Sequence, residues 1–156
     1  MGLAADLGTG PVALDTAPII YFIEEHAEYL PIVQPIFAAI AAGRLQATTS
    51  GLTLLETLVQ PYRAGNGPLA DQYEAFLTRS RGLHLQEITR AVCRSAAQIR
   101  AAHHLKMGDA IQVATALLAR CQVFLTNDRD IPEIPGIRIL QVKSYLPTSK
   151  RARRSS

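Results

Sequence analysis

The sequence predicts an α/β domain with a central parallel sheet of about five strands, covered by helices on both faces. Two observations carry this. Short apolar runs alternate along the chain with longer segments of helical periodicity, the order that parallel strands and their crossover helices impose. The runs are apolar throughout rather than alternating, as strands buried on both faces are. A length of 156 residues suits one domain around one core.

Residues 1–11 are rich in Gly and Ala and read as a loose leader before a single domain over residues 12–147. Val12-Ala13-Leu14 is the first strand and stops at Asp15. Thr16 and Pro18 offer a cap and a first-turn proline, and residues 19–30 read as a helix. A second helix over residues 32–42 ends at Gly43. Residues 45–49 form the next strand. Ser50 suits the cap of a helix that Pro61 closes. A Gly- and Asn-rich turn at residues 64–68 leads into a helix over 69–81. Residues 83–85 are a short third strand. Helices follow over 87–105 and 109–120, broken at Gly108. The fourth strand spans 122–126 and the fifth 137–142. Residues 148–156 are polar and basic and are expected to be a disordered tail.

Composition excludes several classes. Apolar residues make up 48% and charged residues 19%, which is ordinary for a globular protein and not for a disordered one. No apolar run approaches the roughly 20 residues of a spanning helix. The start, MGLAADLGTG, lacks a basic segment followed by an apolar one, so a cytoplasmic protein is expected. Cys93 and Cys121 lack partners at zinc-ligand spacing and read as buried free thiols. The net charge of +3 arises in the tail. Without Lys150, Arg151, Arg153 and Arg154, 12 of the 16 basic residues face 13 acidic ones. The charge of the folded body is therefore no argument for nucleic-acid binding.

Four carboxylates stand out. Asp15 and Asp128 follow predicted strands, and in parallel sheets ligands bind beyond the carboxyl ends of the strands. Asp109 opens the helix DAIQVATALLA. Glu56 sits one turn from Leu52, beside Leu55 and Val59, on what reads as a core-facing stripe, where a carboxylate is costly unless paired or metal-bound. Each has an ordinary explanation when taken singly, as a helix cap, a turn residue or a dipole partner. Together they would repel one another without a cation between them. All-oxygen ligation suits Mg²⁺ or Mn²⁺ rather than zinc. Such a metal is equipped for phosphoryl chemistry.

The segments VALDTAPIIYFIE, TTSGLTLLETL, LKMGDAIQVATAL and VFLTNDRDI carry these four acids. In this order and at this spacing they resemble the PIN-domain nucleases, most closely the VapC-type toxins of bacterial toxin–antitoxin pairs. The resemblance spans residues 12–131. It implies a PIN-like three-layer fold and Mg²⁺- or Mn²⁺-dependent cleavage of RNA, leaving 5′-phosphate and 3′-hydroxyl ends. It also implies a homodimer and a cognate antitoxin. Asp15, Glu56, Asp109 and Asp128 match the family's acidic positions one by one. Asp15 and Asp109 are expected to anchor the metal with help from Asp128, and Glu56 to hold or activate the attacking water. Two positions depart from the family. Ala17 replaces a polar residue that often stands two positions after the first Asp, and Ile131 stands where an aromatic is common.

Thr126 and Ser50 are candidates for polar support of the acids. The stretch from Arg63 to Lys106 holds seven basic and three acidic residues. Within it, Arg90 and Arg94 lie one turn apart and are candidate RNA contacts. His103 and His104 are adjacent, so they diverge by about 100° on a helix and do not form a ligand pair. A haloacid-dehalogenase-type phosphatase wants a second Asp at position 17, which is Ala17. A signalling receiver wants adjacent acids before Asp15, and none is there. The remaining alternative is a non-catalytic PIN-like module that binds RNA or a partner.

Overall fold

The computed structural model describes residues 2–147. The expected basic tail lies outside the described residues.

Five parallel strands form one sheet in the order β3-β2-β1-β4-β5. They are β1 (Val12–Leu14), β2 (Ala47–Ser50), β3 (Leu83–Gln86), β4 (Val123–Thr126) and β5 (Arg138–Gln141). The chain builds outward from β1 to β2 and β3, then returns to the other side of β1 for β4 and β5. The strand order therefore reverses between β1 and β4.

Among the described residues seven helices cover the sheet: α1 (Leu3–Leu7), α2 (Thr16–Ile23), α3 (Leu30–Ala41), α4 (Gly51–Arg63), α5 (Gly67–Arg79), α6 (Arg90–Ala102) and α7 (Met107–Leu118). A 3₁₀ turn, Val142–Tyr145, follows β5. Side-chain alternation along the strands divides the core in two. Val12, Leu14, Val123 and Leu125 pack with Ile19, Val33, Ile36 and Leu77 on one face. Ala13 and Phe124 pack with Val92, Ala96, Val113 and Ala114 on the other. The three-layer α/β fold expected from the alternation of elements is the observed one.

Several boundaries differ from expectation, each for a local reason. The loose leader is instead helix α1, whose Leu3 and Leu7 stand four residues apart and bury one face in the core. Tyr145 donates its hydroxyl to Asp6 at 2.5 Å and ties α1 to the end of the fold. The expected helix over 19–30 stops at Ile23. His26 breaks it by turning Nδ1 to accept the N–H groups of Glu28 and Tyr29, while Glu25 takes a left-handed φ of 52°. Pro61 does not close α4, which runs to Arg63. The helix ends when Ala64 N–H bonds Gln60 and Asn66 N–H bonds Pro61. The break before α7 falls at residues 103–106, not at Gly108, which lies inside the first turn with Leu52 close by. Cys93 is exposed and only Cys121 is buried; burial pushes the Cys121 thiol up to about 11. Gly82, at φ +82°, admits no side chain, since a Cβ there would lie 2.8 Å from the Ile40 carbonyl oxygen.

The largest correction concerns α4. Leu52, Leu55 and Val59 do not face the core; Leu55 is 59% exposed. The buried face is Thr53, Thr57 and Pro61. The polar partners of Thr53, described below, explain the inversion.

Candidate active site

Asp15 is placed by two strands. Its N–H donates to the Leu125 carbonyl at 2.9 Å, continuing the β1–β4 ladder past Leu14. Its side chain caps α2, with Oδ1 accepting the Thr16 N–H at 2.8 Å. Oδ2 accepts the Thr126 hydroxyl at 2.7 Å. The carboxylate is 9% exposed. Burial raises its pKa above the ordinary range. The Thr126 and Thr16 hydrogen bonds pull it back down, and the charges of Glu56 and Asp128 push it up.

Asp128 is fixed through the same threonine. Its N–H donates to Thr126 Oγ1 at 3.0 Å, its Oδ1 accepts the Asp130 N–H at 2.9 Å, and its carbonyl accepts Gln141 Nε2 at 2.8 Å. Thr126 thus supports two of the acids. Ser50 does not line the cleft; its hydroxyl accepts the Leu52 N–H at 3.0 Å as the cap of α4.

Asp109 enters from the first turn of α7. Its Oδ2 is buried without a hydrogen-bond partner. Its pKa is raised to about 7, first by burial, then by the charge and contact of Asp128, then by the charge of Asp15. Lys106 pulls weakly the other way. Lys106 itself reaches Asp130 at 3.9 Å on the surface.

Glu56 is exposed on α4, and its Oε1 accepts the Thr16 hydroxyl at 2.9 Å. Beneath this contact lies a buried hydroxyl chain. Thr16 reaches Thr53 at 3.4 Å, Thr53 shares a 2.8 Å bond with Thr49, and Thr49 donates to the Leu14 carbonyl at 2.8 Å. Gln112 Nε2 donates to Thr53 at 2.9 Å. Thr16, Thr53 and Gln112 were not anticipated. The signals were there: Gln112 stands three residues after Asp109 in an otherwise apolar helix face, and Thr53 stands three before Glu56.

All four predicted carboxylates line one open cleft of about 500 Å³ at the carboxyl end of the sheet, where the strand order reverses. Ile20, Tyr21, Asn127, Arg129 and Asp130 line it too. Arg90 and Arg94 do not; they are exposed on α6 outside it. Among the described residues no three His, Cys, Asp or Glu side chains are already gathered round one metal-sized point. The donor chemistry nonetheless fits a hard cation. The donors are all carboxylate oxygens, one of them buried and unpaired, and two of the acids are held above their ordinary pKa.

The fold and the cleft define an α/β domain with a carboxylate-lined ligand site at the switch point of a parallel sheet. The sequence profile of the PIN domain matches residues 12–137, and the chain belongs to that family. No curated protein matches it in sequence. Among solved structures it is similar to a toxin–antitoxin complex from Klebsiella pneumoniae, at 20% identity and a TM-score of 0.63, over 85% of this chain and 98% of that one. It is also similar to VapBC2 from Rickettsia felis bound to a promoter DNA fragment, at 14% identity and a TM-score of 0.65, over 83% and 97%. A third is VapC20 of Mycobacterium tuberculosis, a sarcin–ricin loop cleaving toxin, at 17% identity and a TM-score of 0.63, over 77% and 92%. At these identities the likeness is one of fold.

Proposed function

We propose that this PIN-domain chain is a divalent-metal-dependent endoribonuclease and the toxin of a type II toxin–antitoxin pair. The observation that carries the reading is the convergence of Asp15, Glu56, Asp109 and Asp128 on one cleft. Asp15, Asp109 and Asp128 would hold Mg²⁺, with Mn²⁺ as a substitute. When bound, the metal lowers the pKa of water and offsets charge growing on the phosphate. The chain's own residues supply position and proton transfer. Thr126 and the Thr16 N–H would favour the ionised Asp15 carboxylate against burial and hold it at the cleft. Thr16 steadies Glu56, which would orient the attacking water and take its proton. Arg90 and Arg94 would carry the RNA strand beyond the cleft.

The complexed neighbours support an antitoxin partner. Leu55 and Tyr62, two exposed apolar side chains seven residues apart on α4, support association with a second copy. Among the described residues no helix is long and apolar enough to cross a membrane, and the proposed site of action is the cytoplasm.

The test is cleavage of RNA by the purified chain with Mg²⁺ or Mn²⁺, halted by EDTA. Asp15→Asn and Asp109→Asn should abolish cutting with circular dichroism unchanged. Cutting at the wild-type rate by folded Asp109→Asn would overturn the assignment, and tight RNA binding without metal-dependent cutting would leave a binding module instead.

A further inference from the structure

Among the described residues, five carboxylates and a single cationic side chain, Arg129, line the cleft. Apart from a bound cation, the protein side chain in this lining that attracts a polyanion is Arg129. That side chain is exposed and forms no ion pair among the described residues, although Asp128 and Asp130 flank it in sequence. Lys106, not Arg129, takes up Asp130.

One aromatic ring shares the lining. Tyr21 is held in place from three directions. Its hydroxyl accepts Asn127 Nδ2 at 2.9 Å, and Asn127 Oδ1 in turn accepts the Lys143 N–H at 3.0 Å. Its ring packs on Tyr29 with centroids 4.6 Å apart and on His26 at 5.0 Å. His26 is itself stacked on Tyr29 at 4.7 Å and 24°. A ring so fixed loses little freedom when a planar ligand comes to rest on it. An immobilised aromatic beside an unpaired guanidinium is the pairing by which proteins take an unstacked nucleotide, the base on the ring and the phosphate on the cation.

We infer that Tyr21 and Arg129 form a nucleotide subsite next to the carboxylates. Arg129 pairs with a phosphate flanking the one that is cut, and the neighbouring base stacks on Tyr21. The inference rests on the ribonuclease reading above and adds to it the residues that seat the substrate. Tyr21 and Arg129 are positioning residues, and neither handles the reacting atoms.

The experiment uses the full chain and a mixed-sequence single-stranded RNA carrying 2-aminopurine. Cleavage is followed with Mn²⁺, and binding with Ca²⁺ in its place. Arg129→Ala should raise KM roughly ten-fold, leave kcat within about two-fold, and reduce the salt slope of binding by about one. Arg129→Lys should recover part of the affinity. Tyr21→Leu should raise KM roughly ten-fold and abolish the 2-aminopurine quenching that stacking produces, whereas Tyr21→Phe should keep both near wild type. Arg129 is exposed, so its variants test the subsite even if Tyr21→Leu fails to fold. Unchanged KM and salt slope in Arg129→Ala, in an enzyme that cuts RNA normally, overturns the subsite and leaves the ribonuclease reading standing. A folded wild-type chain that neither binds nor cuts RNA overturns both.

Discussion

The hydroxyl of Thr126 donates to Asp15 Oδ2 at 2.7 Å and accepts the Asp128 N–H at 3.0 Å, so one side chain at the end of β4 fixes two carboxylates carried by different strands. Thr126→Val keeps the shape and removes both bonds. It should cost about 1–3 kcal/mol in urea unfolding, the price of unmade hydrogen bonds at a buried carboxylate. Thr126→Ser should retain most of the stability. The same valine variant should lose RNA cleavage more steeply than stability, because Asp15 is no longer aimed.

Stability should depend on pH through Asp15 and Asp109. Both pKa values lie above the ordinary 3.8 in the folded chain, that of Asp109 at about 7. The folded state therefore binds these protons more tightly than the unfolded chain. The stabilisation is complete below pH 3.8; the Asp109 part is lost as pH rises through about 7, and the Asp15 part is lost as pH rises through its own raised pKa. In EDTA, thermal unfolding should occur at a lower temperature at pH 8 than at pH 6. Asp109→Asn, which mimics the protonated acid, should remove much of that dependence. It should be about 1–2 kcal/mol more stable than wild type at pH 8, a figure discounted for its partly solvated position.

A divalent cation should reverse that penalty. At pH 8, Mg²⁺ or Mn²⁺ should raise the melting temperature, by about 2–4 °C for each kcal/mol of binding free energy. At pH 5.5 the effect should shrink, because protonated Asp109 competes with the metal. In Asp109→Asn it should nearly vanish. Equal shifts in wild type and variant, read by differential scanning fluorimetry, would exclude Asp109 from the metal site.

The hydroxyl chain under the cleft should be worth as much as a core contact. Gln112→Leu removes the 2.9 Å amide donor to Thr53 at the centre of that chain. A loss of about 1–3 kcal/mol is expected in denaturant unfolding. Glu56→Gln, at the exposed end of the chain, should leave stability within about 0.5 kcal/mol and depress kcat.

Leu55→Lys should separate association from folding. Leu55 is already 59% exposed, so the change should leave the melting of a monomer almost untouched. Light scattering should then report a dimer for wild type and a monomer for the variant.

The centre of the sheet was legible because β1 and β4, buried on both faces, are the apolar runs VAL and VFL, each stopping at a polar residue. The strands β2 (ATTS), β3 (LHLQ) and β5 (RILQ) carry polar residues and were placed by the alternation with helices. Asp15 and Asp128 were legible as the first charged groups beyond β1 and β4, and Asp109 as the acid that opens an apolar helix. Glu56 was found by an argument that fails. Periodicity takes the apolar side of an amphipathic helix to be the inner one. On α4 the surface beneath is the Thr16, Thr49 and Gln112 chain, so the threonines turn inward and Leu55 turns out. Whether a helix meets an apolar or a polar neighbour depends on contacts between Thr53 and residues up to 59 positions away, which no local pattern records. The short α1 was missed because two leucines make a face only when a core is waiting for them.

The strand order has a consequence for when the site comes into being. Asp15 belongs to the first strand made, but its Thr126 partner lies 111 residues later, on the far side of the central strand. A nascent chain that has emerged only as far as α7 already carries Asp15, Glu56 and Asp109, yet it lacks the strand that aims the first of them. Vectorial synthesis thus leaves the acidic pocket unassembled until β4 slots in beside β1. The ribosome that makes this protein meets an assembled acidic pocket only after residues 123–126 have left the exit tunnel and paired with β1.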